Sequence, residues 1–205
     1  MANFTLYTNK LSRGRIVHWM LEELGEPYDV QLIEYGAQMK SGEYLKINPM
    51  GKVPALKHGE TIITETAAIL TYLADAYPEK GLIPPHQSAA RASFFRWMFF
   101  IAGPLEMASS VAILGWVPPE RTSWGTPATG LLGYGTLDLT LHTIEMHLKQ
   151  NRYICGDQFT AADIYLSSHL VHDIVVGKAY ESRPVFDDYI HRMHARPAKK
   201  RAELA

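Results

Sequence analysis

The chain contains 205 residues, of which 47% are hydrophobic and 20% are charged, and its formal net charge is -1. This composition is typical of a globular protein and excludes the disordered and fibrous classes. The length allows one large domain or two small ones. The near-zero net charge leaves no basic surplus for phosphates or anionic lipids, so we expect neither nucleic acid nor a membrane as a partner.

A single cysteine, Cys155, limits the redox and metal chemistry that one chain can perform. It excludes an internal disulfide, a Cys-x-x-Cys redox pair and a cysteine-cluster zinc site. The nine histidines include no His-Glu-x-x-His pattern, so we expect no bound metal. The first residues lack a basic segment followed by an apolar core, and no stretch reaches the length of a membrane span. Together these features predict a cytoplasmic protein.

Strand and helix patterns alternate through the first third of the chain. Apolar residues form short or alternating runs where strands are expected, and recur at helical spacing where helices are expected. Gly25 is placed to end the first helix, and His58-Gly59-Glu60 marks the centre of a hairpin. The predicted order is a strand at 4–7, a helix at 16–24, a strand at 28–32, a helix near 43–47, strands at 53–57 and 61–63, and a helix at 67–74.

The remainder of the chain has a different character. Residues 78–88 are rich in proline and show little periodicity, which is typical of a linker. Thr160 and Asp163 form a capping-box pattern that predicts the start of a helix, and the basic run 199–201 is expected to be a solvated end. Further helices are predicted at 91–111, 131–150 and 185–194. The sequence thus predicts an α/β domain over 1–80 and an all-helical domain over 88–205.

Val53-Pro54 is a candidate edge for binding an extended peptide. A proline at the second position of a strand cannot donate to the sheet, and an X-Pro bond of this kind can be cis. In that arrangement the N–H and C=O of Val53 would face outward and could pair with a peptide ligand. The alternative is an ordinary edge-strand proline with no ligand.

Glu65-Thr66 lies at the predicted start of a helix, where unpaired N–H groups and the positive end of the dipole attract a carboxylate. The Thr66 hydroxyl can add a donor, and the Glu65 carboxylate can hold an ammonium group. The pair therefore suits the head group of an α-amino acid. The alternative is a routine helix start with an acidic residue in its first turn.

Two motifs carry a family resemblance. The segment 48–56, Asn-Pro-Met-Gly-Lys-Val-Pro-Ala-Leu, followed by Thr64-Glu65-Thr66, resembles the glutathione-site signature of the glutathione S-transferase superfamily. The segment 156–164, Gly-Asp-Gln-Phe-Thr-Ala-Ala-Asp-Ile, is similar to the superfamily's capping-box motif. The resemblance covers the whole chain. It implies a thioredoxin-like α/β domain, an all-α second domain, a homodimer and glutathione as co-substrate.

The same resemblance implies roles for individual residues. Val53, presented beside Pro54, would pair with the cysteinyl backbone of glutathione. Glu65 and Thr66 would hold the γ-glutamyl end, and Lys52 or Lys40 would neutralise the glycyl carboxylate.

Catalysis in such enzymes lowers the pKa of the glutathione thiol, which needs a donor beside the sulfur. Ser12, in the loop between the first strand and first helix, is the preferred donor, and its alternative role is only to cap that helix. Tyr7 and Asn9 are the other candidates, although the position of Tyr7 inside a strand suggests a core residue. The loop contains no cysteine, which argues against mixed-disulfide chemistry.

An acceptor substrate requires an apolar cleft near the sulfur. The Gly103-Pro104 pair is expected to kink a long helix and open a concavity there. The predicted walls are Leu11, Phe100, Pro104 and Trp116. The alternative for the aromatic residues of this region is packing in the core or at an interface.

The sequence therefore predicts a detoxifying glutathione transferase that conjugates the thiolate to small hydrophobic electrophiles. One alternative is a binding or regulatory module that keeps the fold without conjugation. Another is a glutathione-dependent peroxidase or reductase that uses the same thiolate.

Overall fold

The computed structural model describes residues 3–204 and divides them into two compact units. One unit comprises the chain up to Ile83 together with the segment from His194, and the other comprises Pro84–Met193. The sequence-based boundary placed everything after residue 88 in the second domain. In the structure, the final segment groups with the first unit.

The regular elements follow the predicted order of an α/β half and a helical half. They are β1 (Phe4–Thr8), α1 (Gly14–Leu24), β2 (Tyr28–Leu32), α2 (Gly42–Ile47), β3 (Ala55–His58), β4 (Thr61–Thr64), α3 (Thr66–Ala76), α4 (Ala89–Phe100), α5 (Glu106–Ile113), α6 (Leu137–Leu148), α7 (Ala161–Val171), α8 (Pro184–His194) and α9 (Pro197–Leu204). Short 3₁₀ turns lie at Pro78–Lys80 and Ala128–Gly130, and π-helical turns at Ile101–Leu105 and His172–Val176.

The first unit is built on a four-stranded mixed sheet in the order β2-β1-β3-β4. β1 runs parallel to β2 and antiparallel to β3, and β3 pairs with β4 in the predicted hairpin. Phe4 and Leu6 of the central strand β1 are fully buried, as expected where strand residues alternate across a covered sheet. Gly25 ends α1 with φ of 71°, the left-handed conformation predicted for this residue. The thioredoxin-like fold prediction is confirmed.

Helix α9 was missed by the sequence analysis. The run 199–201 was expected to be solvated, but Lys199 is buried and lies 5.6 Å above the Trp19 ring of α1. Arg201 Nε donates to Glu22 Oε2 at 2.6 Å, and Arg196 pairs with Glu23. Arg201 within the helix and Arg196 just before it therefore hold α9 against the two acidic residues Glu22 and Glu23 of α1.

The second unit is helical throughout its regular elements. The predicted helix over 91–111 is instead α4, a π-helical turn containing Pro104, and α5, because proline cannot donate within a regular helix. The prediction of a helix from residue 131 was wrong by six residues, since α6 begins at Leu137. Gly135 adopts φ of 66° just before that helix, which excludes a regular helical path.

A buried carboxylate organises the start of α7. Asp163 accepts hydrogen bonds from the N–H groups of Ile154 and Thr160, each at 2.8 Å, and from the Tyr189 hydroxyl at 2.8 Å. Burial raises the pKa of Asp163 to about 6. The predicted capping box is confirmed, and Asp163 has a structural role. No helix within residues 3–204 is long and apolar enough to cross a membrane.

Candidate functional site

Strand register brings three separate segments to one edge of the sheet. Ala55 lies opposite Thr64 in the hairpin and opposite Tyr7 in the pairing of β1 with β3. The chain entering β3, the chain leaving β4 and the chain leaving β1 therefore meet at the same end. These are the segments that carry Val53, Glu65 and Ser12, the residues singled out in the sequence.

The chain entering β3 presents unused backbone groups. The Val53–Pro54 peptide is cis, as anticipated, and Pro54 is buried. The expected strand began at residue 53, but β3 begins at Ala55, so Val53 lies outside the ladder. Within residues 3–204, neither the N–H nor the C=O of Val53 has a hydrogen-bond partner. These two groups can pair with an extended ligand.

A tight turn before Val53 is held by Lys40 and shaped by a glycine. Lys40 Nζ donates to the carbonyl oxygens of Met50 and Gly51 at 3.0 and 2.9 Å. Gly51 adopts φ of 57°, and a Cβ there would lie 2.9 Å from Lys40 side-chain atoms and from Met39 O. Glycine is needed at this position because both the conformation and the close contact exclude a side chain.

Two buried side chains hold the Lys52–Val53 peptide. Tyr44 Oη and Asn48 Nδ2 both donate to the Lys52 carbonyl oxygen at 2.7 Å. Tyr44 packs in a small apolar cluster with Ile33 and Met39, and burial raises the pKa of Tyr44 to about 12. Sequence reasoning gave Tyr44 no role in the site and included Asn48 only as the first residue of the 48–56 signature. An asparagine before a proline is a typical turn pattern.

The chain leaving β4 begins α3 in an unusual conformation. Glu65 precedes the helix with φ of 66° and ψ of 120°, a region that costs a non-glycine residue about 1–3 kcal/mol. Its side chain is exposed and makes no capping hydrogen bond. Thr66 is buried at the first helical position. The first-turn N–H groups of α3 thus lack a side-chain cap, and their partial positive charge favours an anion.

Ser12 is the centre of a compact loop. Its Oγ donates to the Asn9 carbonyl oxygen at 2.8 Å and accepts the Gly14 N–H at 3.0 Å. The residue preceding α1 is Arg13, so Ser12 caps the helix from one position further back than expected. A Cβ on Gly14 would lie 1.8 Å from Thr8 Oγ1, which requires glycine where the loop meets the strand.

The alternative thiol donors are placed differently. Tyr7 is half-buried in β1 and packs against the Tyr44 cluster, as expected for a core position. Asn9 is buried, and its amide is committed at both ends, donating to Ile33 O at 3.0 Å and accepting the Leu11 N–H at 3.0 Å. Ser12 differs from Asn9 because its hydroxyl hydrogen can rotate while Oγ continues to accept the Gly14 N–H.

The predicted acceptor residues are distributed over both units. Leu11 is 86% exposed on the loop of the first unit. In the helical unit, Phe100 ends α4 and Pro104 lies in the π-helical turn, both partly buried. Trp116 lines a cavity of about 730 Å³ between the end of α5 and the segment before α6. Its walls include Met107, Val111, Trp116, Val117, Leu131 and Tyr134.

Metal and thiol chemistry find little support elsewhere in the chain. Within residues 3–204, no group of three or more His, Cys, Asp or Glu side chains is arranged to hold a metal ion. Burial raises the pKa of the Cys155 thiol to about 12, so this thiol stays protonated. A nucleophilic sulfur at this site would therefore have to come from a bound thiol.

Comparison with known proteins agrees with the geometry. Residues 13–76 match the model of the glutathione S-transferase N-terminal domain, and residues 135–197 match that of the C-terminal domain. Glutathione S-transferase GstA of Escherichia coli O157:H7 is 30% identical over 186 residues, covering 88% of this chain and 87% of the relative. Disulfide-bond oxidoreductase YghU of Escherichia coli strain K12 is 27% identical over 97% of this chain and 73% of its own length.

Solved structures show the same fold. A glutathione transferase from Methylococcus capsulatus aligns with a TM-score of 0.78 at 28% identity, covering 97% of this chain and 96% of that one. A family member from Pseudomonas fluorescens, with two bound glutathione molecules, aligns with a TM-score of 0.77 at 26% identity, covering 97% and 91%. With both domain models matched and the paired strand ends in place, the chain belongs to the glutathione S-transferase family of enzymes.

Proposed function

We propose that the protein binds glutathione at this end of the sheet and joins it, through its sulfur, to a small hydrophobic electrophile. The observation that carries this proposal is the register of Ala55 opposite Thr64, which brings Val53 and Glu65-Thr66 to one end of the hairpin. The unpaired N–H and C=O of Val53 and the uncapped first turn of α3 then lie side by side. A γ-glutamyl tripeptide needs both, because it has a peptide backbone to pair and an α-carboxylate to hold.

The Val53 N–H and C=O pair with the cysteinyl backbone of glutathione, next to Pro54. The uncapped first turn of α3 and the Thr66 hydroxyl hold the γ-glutamyl carboxylate, and Glu65 holds its ammonium group. For the glycyl carboxylate, Lys52 is favoured over Lys40, because Lys40 Nζ already donates to two carbonyl oxygens and the Lys52 side chain is exposed.

Ser12 stabilises the glutathione thiolate. In the structure the Ser12 hydroxyl donates to Asn9 O. To donate to the sulfur, this hydroxyl must rotate away from Asn9 O when glutathione binds. A thiolate hydrogen bond of this kind lowers the thiol pKa and raises the thiolate fraction near neutral pH. The thiolate then forms a carbon–sulfur bond with the electrophile, and the leaving group departs with its electron pair.

The proposed acceptor residues are Leu11 in the first unit and Phe100, Pro104 and Trp116 in the helical unit. The cavity lined by Trp116 supports a hydrophobic acceptor, because no charged side chain lines it and its volume suits a small organic molecule. Apolar cavities discriminate weakly between molecules of similar size. We therefore expect a broad range of acceptors.

A glutathione-dependent reductase is the second candidate, and it rests on the similarity to disulfide-bond oxidoreductase YghU. Such an enzyme needs the same bound thiolate but attacks sulfur instead of carbon. The loop 8–15 contains no cysteine that could form a mixed disulfide, so a reductase would need two glutathione molecules for each disulfide. Conjugation needs only one and is therefore favoured.

The test combines calorimetry with glutathione and an assay with a chlorodinitrobenzene, which releases chloride on conjugation. We expect saturable binding and a rate above the uncatalysed reaction. Binding without conjugation would favour a binding module, whereas reduction of hydroxyethyl disulfide in its place would favour the reductase. The absence of glutathione binding would refute all three assignments.

The enzyme is further proposed to be a cytoplasmic homodimer. The single free Cys155 suits a reducing compartment. Phe95 and Phe99, 37% and 75% exposed on α4, offer apolar surface for association. Light scattering in solution tests this, since a monomeric mass at micromolar concentration would refute the dimer.

A further inference from the structure

The Lys52 carbonyl oxygen receives an unusual pair of donors. Tyr44 Oη and Asn48 Nδ2 both reach it at 2.7 Å, and Asn48 also accepts the Met50 N–H at 3.0 Å. Both donor residues are buried, with 3% of each exposed. A carbonyl with two lone pairs is fully satisfied by this arrangement, so the peptide cannot rotate without losing both bonds.

The same peptide contains the Val53 N–H. Because the Lys52–Val53 peptide is planar and trans, its C=O and N–H point in opposite directions. Two donors fixed on the carbonyl oxygen therefore fix the direction of the Val53 N–H on the other side. Hydrogen bonds on a carbonyl also polarise its peptide, which makes the N–H a stronger donor.

The Tyr44 hydroxyl does not contribute to the cluster beneath it. The ring of Tyr44 packs with Ile33 and Met39, and Val53 packs against the same cluster. Burial keeps the hydroxyl protonated, since the pKa of Tyr44 is raised to about 12. The ring alone would fill the apolar space, so the hydroxyl serves the peptide.

We infer that Tyr44 is a positioning residue for glutathione, whose hydroxyl, with Asn48, orients and polarises the Val53 N–H that binds the cysteinyl carbonyl. The inference rests on the proposed function and deepens it. Tyr44 does not touch the ligand. It acts through one peptide unit.

The test is Tyr44→Phe, which keeps the ring and removes one hydroxyl. We expect the dissociation constant and the KM for glutathione to rise about threefold to tenfold, with kcat at saturating glutathione unchanged. In the free protein, the Val53 amide proton should move upfield in a ¹⁵N-correlated spectrum because its peptide is less polarised.

Tyr28→Phe is the matched control. The Tyr28 hydroxyl is likewise hydrogen-bonded within the same unit, to His18 Nε2 at 2.6 Å and to Glu22 Oε1 at 2.5 Å, but neither bond involves the Val53 peptide. This variant should lose a comparable amount of thermal stability and keep the wild-type glutathione affinity.

The outcomes separate the two levels of the proposal. Glutathione binding by the wild type, with unchanged affinity and an unshifted Val53 amide in Tyr44→Phe, would show that the hydroxyl is only structural and overturn the inference. An equal loss of affinity in Tyr28→Phe would overturn it too. A wild type that binds no glutathione would instead remove the proposed function itself.

Discussion

Arg196 forms a two-bond ion pair with Glu23, with Nε to Oε1 at 2.6 Å and Nη2 to Oε2 at 2.8 Å. The pair joins the residue just before α9 to α1, and the Glu23 side chain is only 8% exposed. Trp19 Nε1 donates to the same carboxylate at 3.0 Å. The carboxylate is thus enclosed by Trp19 of α1 and by Arg196 from the segment that leads into α9.

Removing the arginine leaves that carboxylate partly buried without its charged partner. We therefore expect Arg196→Ala to lower the free energy of unfolding by about 2–3 kcal/mol, measured by urea denaturation. Lys149→Ala is the control, because its i, i+4 pair with Glu145 has a lysine side chain that is 53% exposed, and such a pair is worth about 0.5 kcal/mol or less. Equal losses in the two variants would contradict the structural role of the Arg196 pair.

Lys52 and Lys40 should affect the binding of different groups of glutathione. Lys52→Met removes the proposed partner of the glycyl carboxylate and should weaken glutathione binding about fivefold to tenfold. The loss should disappear for glutathione esterified at glycine, because the charge is then absent. Lys40→Met releases two turn carbonyls, so we expect weaker binding of both ligands.

Lys46→Met provides the reference, since Lys46 lies in the last turn of α2, outside the proposed contacts. Calorimetry on the four proteins with both ligands completes the comparison. If Lys52→Met loses affinity equally for glutathione and its ester, the glycyl carboxylate is held by another group.

Ser12 is tested by the pKa of bound glutathione. A hydrogen bond to a thiolate is worth about 1.5–3 kcal/mol, which corresponds to roughly one to two pKa units. Ser12→Ala should therefore raise the pKa of the bound thiol by about that amount. A titration of thiolate absorbance against pH measures this change. Ser12→Thr keeps a hydroxyl and should restore most of the effect.

The Ser12 loop also depends on this hydroxyl, so thermal unfolding must accompany the titration. A lower melting temperature with an unshifted thiol pKa would assign Ser12 to loop structure alone. The donor would then be sought at Tyr7, Asn9 or a backbone N–H.

His194 should make the attachment of α9 sensitive to acid. Burial, followed by the nearby charges of Lys199 and Arg15, lowers the pKa of His194 from 6.5 to about 4. The folded state therefore binds this proton less tightly than the unfolded chain. The stabilising contribution is present above pH 6.5 and is lost as the pH falls toward 4.

Replacing the group with a neutral side chain should reduce that dependence. Between pH 6.5 and 4, we expect the free energy of unfolding of His194→Gln to fall by roughly 1–2 kcal/mol less than that of the wild type. This figure allows for the partial solvent exposure of the ring. Urea titrations at several pH values measure the difference. Parallel stability curves for the two proteins would refute this role.

The sequence predicted most of the first unit because its signals were local. Hydrophobic alternation predicted the strand at 28–32, and a glycine after the last helical residue predicted the end of α1 at Gly25. Both predictions were confirmed. The predicted start of β3 was two residues early, because Val53 is apolar like a strand residue. In the structure, the Val53 side chain instead packs against the cluster of Ile33, Met39 and Tyr44. Pattern alone does not distinguish these two uses.

The features that were missed depend on contacts between distant residues. The basic run at 199–201 is typical of a solvated end, and only its acidic partners on α1, over 170 positions away, make α9 a packed helix. Tyr44 lies in the short helix predicted near 43–47, where the local sequence shows no partner for its hydroxyl. Its hydroxyl acquires a role only when the turn at 48–52 folds back over it.

The position of α9 redefines where the first unit ends. A chain cut after Ile83 would contain every proposed glutathione contact, yet it would leave the Trp19 face of α1 bare and two adjacent glutamates without their arginines. The helix that completes this unit follows Pro84–Met193 in the chain. The unit with the proposed glutathione contacts therefore cannot be assembled in full until the helical unit has been synthesised.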